Sequence, residues 1–116
     1  MTNKLTEFLL DPESKGLILG NNGFQAKRYS HVVVVIWYEG KKLCRLFREG
    51  LQWNVDITPL LSRAECKRMT ELFALLGMPQ LRVRVSARGA CIRREPNIFG
   101  MPEYLLPLEQ PLKVTV

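Results

Sequence analysis

Five arginines fall within the fifteen residues of LRVRVSARGACIRRE, 81–95. A guanidinium is a planar fork that grips phosphate or carboxylate through paired hydrogen bonds and also stacks on aromatic rings. The chemistry on offer is recognition of an anion rather than the making of bonds. Strand alternation sorts the residues: Val83 and Val85 take one face, Arg82 and Arg84 the other. A chain reversal at Arg88-Gly89 returns Ile92 to the core face and Arg93 to the outer one, with Arg88 at the tip and Arg94 near the far end. Like charges on neighbouring strands destabilise a sheet unless an anion lies between them, and the only acid in the stretch is Glu95.

A second basic stretch, Lys41, Lys42, Arg45 and Arg48, flanks another hairpin, and Lys27-Arg28-Tyr29 precedes an apolar strand. Cations and rings interleaved on strands suit a single-stranded nucleic acid, with phosphates on the cations and bases on the rings. The expected contacts are Arg82, Arg84, Arg88, Arg93 and Arg94, with Arg45 and Arg48 extending the track. Tyr29 is the expected ring, and Tyr38 and Phe99 are further candidates. Trp37 and Trp53 stand in apolar patterns and read as core. Arg63, Lys67 and Arg68 read as ordinary solvated surface.

Groups suited to catalysis are few. The single histidine, His31, has no sequence neighbour to orient it as a base, and Asp11 and Asp56 are the only aspartates. Asp56 with Glu65 or Glu71 is a thin basis for a two-metal centre. The chain has no GxxxxGKS/T, GxGxxG or GxSxG motif. Cys44, Cys66 and Cys91 lack CxxC spacing and sit among small or apolar neighbours, so buried reduced thiols are expected, with no zinc and no disulfide framework. No cofactor is expected. One enzyme class passes this filter: a small ribonuclease working without histidine, with Arg82 and Arg84 stabilising charge and Tyr29 or Tyr38 donating a proton. The preferred expectation is a non-enzymatic module that binds nucleic acid through an arginine-rich hairpin. The alternative is an inhibitor or adaptor for an acidic protein partner, acting through a sheet edge or apolar patch and able to form a homodimer.

The charge distribution supports an anionic partner. The chain carries +6 at neutral pH with a pI near 9.6. Residues 27–94 hold +9 of it, against −1 before them and −2 after them, so the positive charge belongs to the body of the domain. The length of 116 residues suits one domain with a core of its own. MTNKLTEFLL is interrupted by Glu7 and ended by Asp11-Pro12, so no signal peptide is read there. The apolar run 32–37 is too short to cross a bilayer. A cytoplasmic protein that does not enter membranes is expected.

The elements that must position the arginines read as follows. Residues 1–15 form a short helix or a loosely docked arm, with Leu5, Phe8 and Leu9 at helical spacing. GNNG at 20–23 turns a strand at 17–19 into one that starts at Phe24. SHVVVVIWYEG is a strand apolar on both parities, which predicts a central position covered on both faces. Glu39-Gly40 turns it into KKLCRLFRE. Gly50 then leads to LQWNVDI, in which Leu51, Trp53, Val55 and Ile57 alternate with polar residues. The capping box SRAE opens the one central helix, 62–76, whose apolar stripe is Cys66, Met69, Leu72, Phe73 and Leu76; Gly77 caps it and Pro79 stops it. The segment 96–116 is rich in proline and holds two short strands, near 104–106 and 112–116. The fold class is α+β: a twisted, mainly antiparallel sheet with one helix packed on it, the alternative being a five-stranded oligonucleotide-binding-type barrel.

Overall fold

In the computed structural model, which describes residues 4–19, 23–58, 62–94, 104–106 and 112–115, the valine run becomes an interior strand. In chain order the elements are α1 (Lys4–Leu10), β1 (Gly16–Leu19), β2 (Phe24–Ser30), β3 (Val33–Tyr38), β4 (Lys41–Glu49), β5 (Gln52–Ile57), α2 (Arg63–Leu75), β6 (Leu81–Ser86), β7 (Gly89–Arg94), β8 (Tyr104–Leu105) and β9 (Leu112–Thr115). Strands β1 to β5 form an antiparallel meander, and β9 adds to β5 to give a six-stranded sheet in the order β1-β2-β3-β4-β5-β9. Strands β6, β7 and β8 make a separate antiparallel sheet. The fold is therefore α+β with open antiparallel sheets. The barrel alternative does not hold, because closure requires the two edge strands to pair, whereas β1 and β9 lie at opposite edges and β6–β8 leave the first sheet altogether.

One face of the six-stranded sheet carries Phe24, Ala26, Val34, Ile36, Cys44, Leu46, Trp53, Val55, Ile57 and Val114, all buried. Leu5, Phe8 and Leu9 of α1, Cys66, Met69, Leu72 and Phe73 of α2, and Leu81, Val83 and Ile92 of the smaller sheet join them in one core. Helix α2 has the ends its sequence encodes. Glu65 N–H donates to Ser62 Oγ at 3.3 Å and Ser62 N–H to Glu65 Oε1 at 3.1 Å, which completes the capping box. At the other end Met78 N–H donates to the Phe73 carbonyl and Gly77 N–H to that of Ala74, with Gly77 at φ +84°. That is a Schellman motif, which needs the left-handed residue glycine tolerates.

Of the two readings of the N-terminal segment the short helix holds and the loose arm does not: α1 is docked, and Arg28 is why. Its side chain turns inward from β2, where Nε donates to the Ser14 carbonyl (2.8 Å), Nη2 to those of Phe8 (2.7 Å) and Asp11 (3.2 Å), and Nη1 to that of His31 (3.3 Å). Residue 28 is only 8% exposed, and its charge meets backbone carbonyls in the last turn of α1 and just beyond it, where the helix dipole favours a cation. Leu51, placed on the buried parity by alternation, is 82% exposed, because Gly50 (φ +64°) and Leu51 form the turn and β5 begins at Gln52. The smaller hairpin turns at Ala87-Arg88, one residue earlier than expected, and Val85 beside it is exposed. Trp53 is core, but Trp37 is half-buried on the opposite face of the sheet, in register with Gln25 and Lys42. Among the described residues no helix is long and apolar enough to cross a membrane.

Candidate nucleic-acid interface

Arg82, Arg84, Arg93 and Cys91 share the outer face of the β6–β7 ribbon, since Arg82 pairs with Arg93 and Arg84 with Cys91. Arg82, Arg84 and the turn residue Arg88 are exposed, and Arg93 is half-buried. Strand pairing puts Arg94 opposite Leu81, on the other parity; its side chain, like Phe99 and most of 96–116, lies outside the described residues. The hairpin thus brings together three arginines of the expected patch and holds a fourth at its tip.

The structure adds to this patch from an unexpected direction. Helix α2 lies along the edge of β6 that faces away from β7, fastened there by Thr70. The Thr70 hydroxyl accepts from Val83 N–H at 2.8 Å and sits 3.0 Å from the Cys66 carbonyl and 3.3 Å from the Val83 carbonyl. Between helix and strand runs an open cleft of about 560 Å³, lined by Arg63, Lys67, Thr70 and Glu71 from α2 and by residues 82–85 from β6. In an antiparallel ladder alternate residues point their backbone groups to the same side. The Val85 amide therefore faces the same edge as that of Val83, into the cleft.

Arg63 and Lys67 were expected to be plain surface. They are instead the helix wall of the cleft, facing Arg82 and Arg84. The signal was in the sequence: positions four apart share a helix face, and Arg63, Lys67 and Glu71 are so spaced. What the sequence did not show was that this face would lie against β6. Arg63, Lys67 and Arg82 make no hydrogen bond or ion pair among the described residues. The one acid lining the cleft among the described residues, Glu71, is engaged by Arg68, whose Nη1 contacts both carboxylate oxygens at 2.7 Å. Arg68 also stacks over the Tyr38 ring, 5.3 Å from its centroid. Arg68 is thus a structural cation, and its two helix neighbours are cleft cations.

The remaining candidates separate. Arg45 and Arg48 lie on β4 of the larger sheet and do not line the cleft. Arg45 pairs with Asp56 at 3.3 Å and covers the Phe47 ring, while Arg48 closes its own turn through the Gly50 carbonyl at 2.9 Å. Tyr29 is 56% exposed on the larger sheet, with Lys27 Nζ 5.5 Å from its ring centroid. Tyr38 packs edge-on against Phe24. Neither tyrosine lines the cleft with Arg82 and Arg84. Cys44, Cys66 and Cys91 are free and buried. Burial pushes the Cys44 thiol far above its ordinary range, with the Asp56 charge adding to the effect, and burial raises that of Cys66. Both shifts favour the protonated thiol over the thiolate, which is the nucleophilic form.

No protein-family model matches the chain, and no curated protein or solved structure matches it either.

Proposed function

We propose that this protein is a non-enzymatic module that binds nucleic acid, holding its phosphate backbone in the cleft between α2 and β6. The observation that carries the reading is the convergence of Arg63 and Lys67 from the helix with Arg82 and Arg84 from the strand on one cleft in which the acid among the described lining residues, Glu71, is already engaged. Mutually facing cations oppose folding unless solvent or an anion screens them, and a polyanion drawn along the groove would relieve Arg63, Lys67 and Arg82, which make no ion pair among the described residues. Arg88 and Arg93 on the same ribbon lengthen the basic surface. Three buried free thiols suit the reducing cytoplasm. The test is fluorescence anisotropy with labelled single- and double-stranded oligonucleotides at about 50 and 200 mM salt, where counterion release makes affinity fall by roughly 0.7 (single strand) to 0.9 (duplex) log units per log unit of salt for each phosphate contact. Micromolar affinity with a steep slope supports the reading; no binding at the lower salt removes it.

A second reading rests on the free edge of β1. Among the described residues this strand pairs only with β2, and its Ile18 is 72% exposed. An uncovered edge with an apolar side chain is a template for strand addition by a partner protein or a second copy. Sedimentation analysis across micromolar concentrations separates the cases: a dimer that Ile18→Lys disperses favours this reading.

A further inference from the structure

The open face of the six-stranded sheet, opposite the core, carries features the cleft does not use. Register sets Gln25 beside Trp37 and Lys42, and Lys27 beside Val35 and Arg45. Between them Gln25, Lys27, Tyr29, Trp37 and Gly40 line an open notch of about 200 Å³. That is below the roughly 300–1,000 Å³ that encloses a drug-sized ligand, and suits one planar ring system lying on a surface. Two rings border it, the exposed Tyr29 and the half-buried Trp37. Tryptophan tends to place its indole N–H on a partner when buried, yet Trp37 makes no side-chain hydrogen bond among the described residues, and nor does the exposed Gln25. The notch therefore offers stacking surface, an indole donor, an amide that both donates and accepts, and the Lys27 ammonium within 5.5 Å of the Tyr29 ring centroid.

A single unpaired nucleotide matches each of these groups. Its base has two apolar faces for the rings, its edge has donors and acceptors for Gln25 and the indole, and its phosphate suits Lys27. A paired base could not enter, because its faces are covered by its neighbours in the stack. We infer that this notch binds one unpaired nucleobase, and that the nucleic acid recognised is single-stranded. The choice of strand form rests on the reading of the protein as a nucleic-acid binder, but the notch itself can be tested without a polymer.

The experiment uses the full chain and reads tryptophan fluorescence, since Trp53 is buried and Trp37 is the accessible indole. Adenosine and uridine 5′-monophosphates at millimolar concentration are expected to quench it, ribose 5-phosphate is not, and Trp37→Phe is expected to abolish the quench while keeping a ring. With oligonucleotides, Tyr29→Ala is expected to weaken single-strand binding roughly five- to hundredfold, the range for losing one stacked base, and to leave duplex affinity and the salt slope unchanged. Circular dichroism of each variant reports its folding. Mononucleotides that fail to quench, together with a Tyr29→Ala protein that binds single strands as tightly as before, overturn the inference while the cleft reading stands. Quenching by mononucleotides with no affinity for any oligonucleotide keeps the notch and removes the cleft. Absence of both responses removes both.

Discussion

Replacing Arg63, Lys67 and Arg82 together by alanine tests whether the cleft, and not diffuse charge, holds the ligand. All three side chains are exposed and without partners among the described residues. Two stand on helix α2, where alanine is the most favourable residue, and the third faces Arg93 across the ribbon, where losing a like charge relieves repulsion. Stability should stay within about 0.5 kcal/mol of the parent, as for ordinary surface substitutions. If each side chain neutralises one phosphate of a single strand, the log–log salt slope should fall by about 2, and affinity at 0.1 M salt by about a hundredfold, taking 1 M as the point where counterion release vanishes. The control is a triple variant with the same loss of net charge, Lys4, Lys15 and Lys113 to alanine, whose residues are exposed and do not line the cleft. Anisotropy across five salt concentrations measures both slopes. Equal losses in the two variants would refute the argument, because a general electrostatic halo would then account for binding.

Glu71→Gln neutralises the acid that lines the cleft among the described residues and releases the Arg68 Nη1 that engages it, so oligonucleotide affinity should rise, by up to about fivefold at 0.1 M salt if Arg68 gains one phosphate contact; equal or weaker binding counts against the cleft. Arg28→Gln breaks the bonds to Ser14, Phe8, Asp11 and His31 and should lower stability by about 3 kcal/mol, since hydrogen bonds to a charged group are worth roughly 1.5–3 kcal/mol each and several are lost at one site. Urea unfolding measures that loss, and amide exchange should rise first in α1; a loss below about 1 kcal/mol would show that α1 docks through its leucines alone. Glu65 governs acid sensitivity at the start of α2. Burial would raise its carboxyl, but hydrogen bonds from Lys41 (3.0 Å) and Ser62, with the Lys41 charge, together hold it below the ordinary range. The unfolded chain then binds this proton more readily, so the contribution is present above about pH 4.3 and is lost as pH falls from there through the folded value. Glu65→Gln should flatten that limb of the stability profile measured by thermal melting.

Much of the fold was legible because it is encoded locally. The Ser62–Glu65 box, the Gly77 cap and the 3.6-residue spacing of Cys66, Met69 and Phe73 specify α2 within the helix's own length. Valines at 32–35 favour extended backbone whatever their neighbours, and Glu39-Gly40, both at positive φ, make the tight turn that follows. The hairpin faces of Arg82, Arg84 and Arg93 follow from a period of two. Leu51 and Trp37 were misplaced for a single reason: apolarity and parity say that a residue prefers burial, but the position of a turn and the side on which helices pack decide whether burial is available.

The element types, most of the strands, the limits of α2, the concentration of positive charge in residues 27–94 and the shared face of the ribbon arginines are all readable in the chain, because each depends on neighbours within a few residues. Only the tertiary structure decided that Arg28 would be an internal clamp, that Arg68 would be tied to Glu71 and Tyr38, and that Arg63 and Lys67 would stand opposite Arg82 and Arg84. Those outcomes depend on how α1 and α2 lie against strands distant in the chain, and here a polar contact, Thr70 to the backbone of Val83, fastens the helix to the strand edge. Guanidinium groups look alike in a sequence; an acid, a carbonyl or an open cleft in front of each one sets them apart.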